Sequence, residues 1–139
     1  MHRKIALAQF QRVIDANYNR SKEGLRVCED LCRFVWNDRK STAAFKKIRH
    51  SLTGAIISFG LKDIVASRDI VRDVGRATVA SESLRKDVSD IFYANIQRVK
   101  ESLRVLEEFA KLQDVPASVL LKKLRYSVYE IEKNILARF

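Results

Sequence analysis

Residues 16–30 and 94–108 of this chain are two versions of one segment. The first reads A-N-Y-N-R-S-K-E-G-L-R-V-C-E-D and the second A-N-I-Q-R-V-K-E-S-L-R-V-L-E-E. Further on, K-K-I-R-H-S-L at 46–52 is answered by K-K-L-R-Y-S-V at 122–128. A chain written this way carries one helix pair in each half. A packing repeat would keep only apolar positions. This one also keeps Asn17/Asn95, Arg20/Arg98, Glu23/Glu101, Arg26/Arg104 and Glu29/Glu107, which packing alone does not require.

Val13, Ile14, Gly24, Leu25, Cys28, Leu31, Cys32 and Val35 recur near the 3.6-residue period and predict one long helix over 5–37. Asn37 and Asp38 end it. Ser41 or Thr42 is the expected cap of a second helix reaching about Leu61, with Phe45, Ile48, Leu52, Ala55 and Phe59 on one stripe. Residues 62–80 show no period and read as a loop. Ser81 with Glu82 opens a third helix to Leu112, with a break expected near Asp90. Pro116 suits the first turn of the last helix, striped by Leu120, Leu121, Leu124, Val128, Ile131 and Ile135. The predicted fold is all-α. Residues 1–139 form one domain, a bundle of two sequence-related long hairpins with approximate internal twofold symmetry. The halves run about 5–63 and 81–139, joined by a loop over about 64–80. Nothing of period two suggests a sheet.

The net charge of +10 favours anionic partners: nucleotides, phosphorylated metabolites or nucleic acid. No apolar run approaches the roughly 18–20 residues of a membrane span. The opening M-H-R-K-I-A-L-A-Q-F has too short an apolar stretch for a signal peptide. A cytoplasmic protein with no membrane partner is expected. Cys28 and Cys32 lack a second ligand pair for zinc and read as reduced core thiols. No G-x-x-x-x-G-K-[ST], G-x-G-x-x-G or H-E-x-x-H motif is present. His50 reads as a surface residue.

On a helical wheel, Gly24, Cys28, Leu31, Val13 and Val35 fall within about 40° of Asn17, and Arg20 about 60° to one side. Asn95 and Arg98 repeat this placement. A buried amide or guanidinium needs partners. Two readings stand side by side: internal Asn–Glu–Arg networks that fix the register of the bundle, or a polar cavity holding a phosphate or carboxylate. Glu23, Arg26 and Asp30 lie further round and suit an ion-paired face. In the loop S-R-D-I-V-R-D-V-G-R, Arg68, Arg72 and Arg76 could reach phosphate oxygens and Asp69 and Asp73 a magnesium ion, with Gly75 allowing a tight turn. An ordinary charged loop is the alternative.

Taken in order, V-I-D-A-N-Y-N-R-S-K-E-G-L-R-V-C-E-D-L-C-R-F-V, K-K-I-R-H-S-L, R-D-V-G, A-N-I-Q-R-V-K-E-S-L-R-V-L-E-E-F-A-K and L-R-Y-S-V-Y-E-I-E-K resemble a small helical family. That family is found at the N-terminus of some bacterial thiamine-phosphate synthases, also called thiamine-phosphate pyrophosphorylases. The resemblance implies a hydroxymethylpyrimidine-phosphate kinase, using ATP and Mg2+ to make the diphosphate that the synthase consumes. It implies a phosphorylated pyrimidine and a nucleotide as ligands and a thiamine-phosphate synthase as a possible separate partner. These residues supply no eight βα units, which need roughly 200 residues or more, so synthase activity is not expected of them. Under this resemblance Arg20, Arg98, Arg26 and Arg104 become candidate phosphate clamps, joined by Arg49 and Arg125. Asn17 and Asn95 would orient the pyrimidine or hold phosphate oxygens. Glu23, Glu29, Glu101, Glu107 and Asp73 would hold magnesium or the arginines. The duplication permits one composite site or two. A nucleic-acid module is disfavoured, because its arginines should be exposed rather than beside an apolar stripe. A docking module on a synthase would have its Asn–Arg–Glu sets satisfied internally.

Overall fold

The computed structural model describes residues 4–78 and 84–138. Among them there are helices and no strands: α1 (Leu7–Asp30), α2 (Arg39–Ile56), α3 (Leu61–Ala66), α4 (Val88–Ala110) and α5 (Val115–Leu136). α1 packs along α4, α2 along α1, α5 along α4, and α2 meets α5, so the four long helices close a bundle, while α3 lies against α1. Phe10, Phe45, Phe92, Ile14, Leu25 and Leu103 are among the fully buried side chains of one continuous core. Each such side chain contributes about 2–3 kcal/mol by burial.

The α1–α4 crossing falls on positions where the two copies of the repeat differ. Ser21 meets Ser102 through a hydroxyl–hydroxyl bond of 2.6 Å, and a Cβ on Gly24 would stand 2.7 Å from Val99 Cγ2. In the repeat, Ser21 corresponds to Val99 and Gly24 to Ser102, so the two contacts exchange. Small residues are needed here because the helix axes approach closely. The two helices run antiparallel, as the Trp36 ring against Phe92 near the start of α4 also requires.

Several boundaries differ from those expected. The first helix stops at Asp30 and passes into one wide π turn, Leu31–Val35. That turn brings Trp36 onto Phe92, and Asn37, at φ 51°, reverses the chain; an amide side chain tolerates this left-handed conformation. The cap of α2 is neither Ser41 nor Thr42 but Asp38, whose carboxylate accepts the Ser41 N–H at 3.0 Å and the Ser41 hydroxyl at 2.6 Å. Asp114 caps α5 at the equivalent repeat position, accepting the Ala117 N–H at 3.0 Å. α2 ends at Ile56 and tightens into a 3-10 turn. Gly60, at φ 76°, then redirects the chain into α3, so the presumed loop opens with a short helix that buries Ile64. α4 begins at Val88 behind the cap Asp87, and Asp90 lies in its first turn without breaking it. Ser81 and Glu82 lie outside the described residues, as does His2. Pro116 sits in the first turn of α5 as expected.

Candidate functional site

The N-terminal half of α1 and the segment leaving α3 enclose a cleft of about 430 Å³. Gly60 and the burial of Ile64 fix where that segment starts. The Ser67 hydroxyl closes the end of α3 by donating to the Ile64 carbonyl. The chain then delivers Arg68 to Asp15 of α1. Arg68 Nε donates to Asp15 Oδ2 and Nη2 to Oδ1, both at 2.8 Å. Asp15 is only 5% exposed, and its bond raises the Arg68 guanidinium above its ordinary pKa. Asn19 Nδ2 adds a third donor to Asp15 at 3.2 Å.

The cleft gathers five of the residues singled out in the sequence: Asn17, Arg20, Arg68, Asp69 and Asp73. Asn17 is buried, as its place in the apolar stripe requires. Its Nδ2 donates to the Val13 carbonyl at 2.9 Å, and its Oδ1 accepts from Arg20 at 3.4 Å. Arg12, Asp15 and Gln9 also line the cleft, between the aliphatic surfaces of Ile5, Val13 and Ile70. The repeat gave no signal for Arg12 or Asp15, because their counterparts are Asp90 and Tyr93. Asp15 is buried because α3 and the following segment cover that face of α1.

A second group is built twice and lies elsewhere. Glu29 is buried and accepts from Arg49 Nε at 3.2 Å, from Arg49 Nη2 at 3.4 Å and from Arg26 Nη1 at 3.2 Å. Glu107 is buried and accepts from Arg125 Nη2 at 3.0 and 3.3 Å, with Arg104 Nη1 at 3.4 Å. Arg49 and Arg125 come from the repeated K-K-[IL]-R segments, so each hairpin is clasped by one carboxylate between two arginines. Arg125 differs from Arg49 in two respects. Its Nη1 donates to the Tyr129 hydroxyl at 2.9 Å, and its buried Nε has no partner.

The remaining candidates are not drawn together. Asn95 Nδ2 donates to the Ile91 carbonyl at 2.8 Å. Arg98, Glu23 and Glu101 are exposed on their helices. Arg72 is exposed beside Asp69, whose carboxylate accepts the Arg72 N–H at 3.2 Å. Gly75 donates its N–H to Asp73 Oδ1 at 2.9 Å. It has no positive φ, and a Cβ there would make only an ordinary contact with Asp73, so this turn does not depend on glycine. Among the described residues no three His, Cys, Asp or Glu side chains gather as a metal site. Cys28 and Cys32 are buried free thiols, and burial raises both; Cys32 is pushed up to about 12. His50 is exposed. Among the described residues no helix is long and apolar enough to cross a membrane.

Residues 12–134 match the model of the ThiD2 family. Over 126 residues the chain is 43% identical to the thiamine-phosphate synthase of Synechocystis sp., covering 90% of this chain and 36% of that protein. It is 38% identical over 119 residues to the thiamine-phosphate synthase of Rhodopirellula baltica, covering 85% of this chain and 32% of the relative. The corresponding protein of Nostoc punctiforme is 36% identical over 126 residues, covering 90% and 35%. The chain thus spans about a third of the length of the curated relatives it matches. No solved structure matches it.

Proposed function

The chain belongs to the ThiD2 family, and from that premise we propose that it acts in thiamine biosynthesis as a kinase. The reaction is ATP-dependent phosphorylation of hydroxymethylpyrimidine phosphate to the diphosphate, which a thiamine-phosphate synthase then consumes. A separate synthase is the proposed partner. The thiamine pathway rests on the names of the relatives. The kinase step rests on the family resemblance and on one observation: the cleft beside α1 brings Asn17, Arg20, Arg68 and Asp73 into one place.

An oxygen of the pyrimidine's phosphate attacks the γ-phosphorus of ATP. A new P–O bond forms as the bond from that phosphorus to the β–γ bridging oxygen breaks, releasing ADP. No general base is needed, since a phosphate monoester has its second pKa near about 6 and is largely ionised at neutral pH. The obstacle is charge: both reactants are anions, so catalysis is positioning and neutralisation. Arg20 supplies a guanidinium with no carboxylate partner among the described residues. Asn17 holds it towards the cleft. Arg68, fixed by Asp15, forms the opposite wall. The aliphatic surfaces of Val13 and Ile70 suit a flat heteroaromatic ring. One or two carboxylates plus substrate oxygens is the usual magnesium donor set, and Asp73 with Asp69 fits it. Magnesium held there would neutralise charge on the nucleotide's phosphates.

Purified protein with magnesium-ATP should release ADP only when hydroxymethylpyrimidine phosphate is added. Absence of ADP release from a folded sample would exclude the kinase and leave a binding or docking module.

A further inference from the structure

Three arginines and three aspartates line the cleft, and their pairing decides which charge is free. Asp15 is saturated by Arg68, so that guanidinium is neutralised within the wall. Asp69 lies 3.7 Å from Arg72 Nε, and Asp73 accepts the Gly75 N–H. Arg20 donates only to the neutral amide of Asn17. Arg12 is exposed towards solvent and makes no hydrogen bond or ion pair among the described residues. The cleft therefore offers two guanidinium groups that no carboxylate pairs, both projecting from α1, across from Asp73, whose carboxylate accepts only a neutral N–H.

We infer that Arg12 is a substrate-binding residue that contacts the ester phosphate of the pyrimidine and selects the phosphorylated acceptor over the free alcohol. This rests on the cleft being the acceptor site. Guanidinium suits the role because its fork matches phosphate oxygens in a bidentate way and stays charged at any physiological pH. The Asp15–Arg68 pair has a supporting part. By occupying each other, the two groups keep Asp15 from neutralising Arg12, which lies three residues before it on the same helix and hence on a neighbouring position of its surface. The repeat places Asp90 where α1 has Arg12, so the inferred contact exists in the first half alone.

The test is titration calorimetry without ATP, using hydroxymethylpyrimidine phosphate and, separately, hydroxymethylpyrimidine. The wild-type chain should bind the phosphate ester more tightly than the alcohol. Arg12→Gln should weaken ester binding about tenfold or more, leave the alcohol unchanged and leave the melting temperature unchanged. Lys123→Gln removes the same charge from an exposed site on α5 and should change neither. Wild-type affinity for the ester in Arg12→Gln would overturn the inference. So would an equal loss for ester and alcohol, or no ester binding by the wild-type chain. Arg12-dependent ester binding without ADP release would support the inference while excluding the kinase reaction.

Discussion

The two halves of this molecule share their clasps and differ in their surfaces. Glu29 between Arg26 and Arg49 and Glu107 between Arg104 and Arg125 are one device built twice, as are the caps Asp38 and Asp114. Among the described residues, α3 and the segment after it, which lead from the first half to the second, are laid over α1 to form a cleft. Where α1 presents Arg12 and Asp15, α4 presents Asp90 and Tyr93. A charged residue kept in both halves can thus be holding its hairpin together, while part of the candidate chemistry sits on residues the repeat has let diverge.

The largest effect is expected from breaking the clasps. Glu107→Gln should destabilise the protein by about 3 kcal/mol, because it leaves a buried guanidinium without its counter-charge. Glu29→Gln should cost somewhat less. The Arg49 side chain is 11% exposed against 8% for Arg125, and Arg125 already has an unpartnered Nε. Urea denaturation of the two variants would show the order, and a reversed order would mean that the burial of the paired arginine does not set the cost.

Next comes the crossing. Gly24→Ala should cost about 1–3 kcal/mol, since the added methyl meets Val99 and the Asn95 carbonyl. Ser102→Ala, at the position matching Gly24, should cost about 1 kcal/mol through the lost bond to Ser21. Thermal melts would separate an overpacked contact from a lost hydrogen bond.

The caps sharpen the comparison further. Asp38→Ala should cost about 1–2 kcal/mol and Asp114→Ala about 1 kcal/mol or less. Asp38 also holds the Ser41 hydroxyl and Arg138. Burial alone would raise the Asp38 carboxyl, but the bonds from Ser41 and the charge of Arg138 outweigh it and leave the pKa below its ordinary value. A carboxyl depressed in the folded state stabilises above its unfolded pKa, and that stabilisation is lost as pH falls through the folded value. Stability should therefore decline in acid less steeply in Asp38→Ala than in the wild type. Smallest of all, Cys32 should resist iodoacetamide at pH 8 in the native state, because burial pushes its thiol up to about 12.

The helices and core stripes were legible because burial on a helix leaves a 3.6-residue period, and Asn17 was legible as a polar interruption of it. The pairing of Glu29 and Glu107 with arginines from the partner helices was only half legible: the residues stood out, but a wheel does not show which helix supplies the counter-charge. In the sequence Asp38 reads as a terminator because Ser41 and Thr42 are equally good caps on paper, although its repeat partner Asp114 stands just before Pro116. Arg12 and Asp15 were hidden for a different reason. Their importance comes from a segment far along the chain folding back over α1, and neither periodicity nor repetition records that.

The most direct test is substrate-dependent ADP release measured side by side in Arg20→Gln and Arg98→Gln. These remove one guanidinium each from matching repeat positions, one inside the cleft and one outside it. Loss of about tenfold or more in Arg20→Gln with near wild-type turnover in Arg98→Gln is expected if the first-half cleft is the reaction site. Equal losses, or a loss confined to Arg98→Gln, would contradict it.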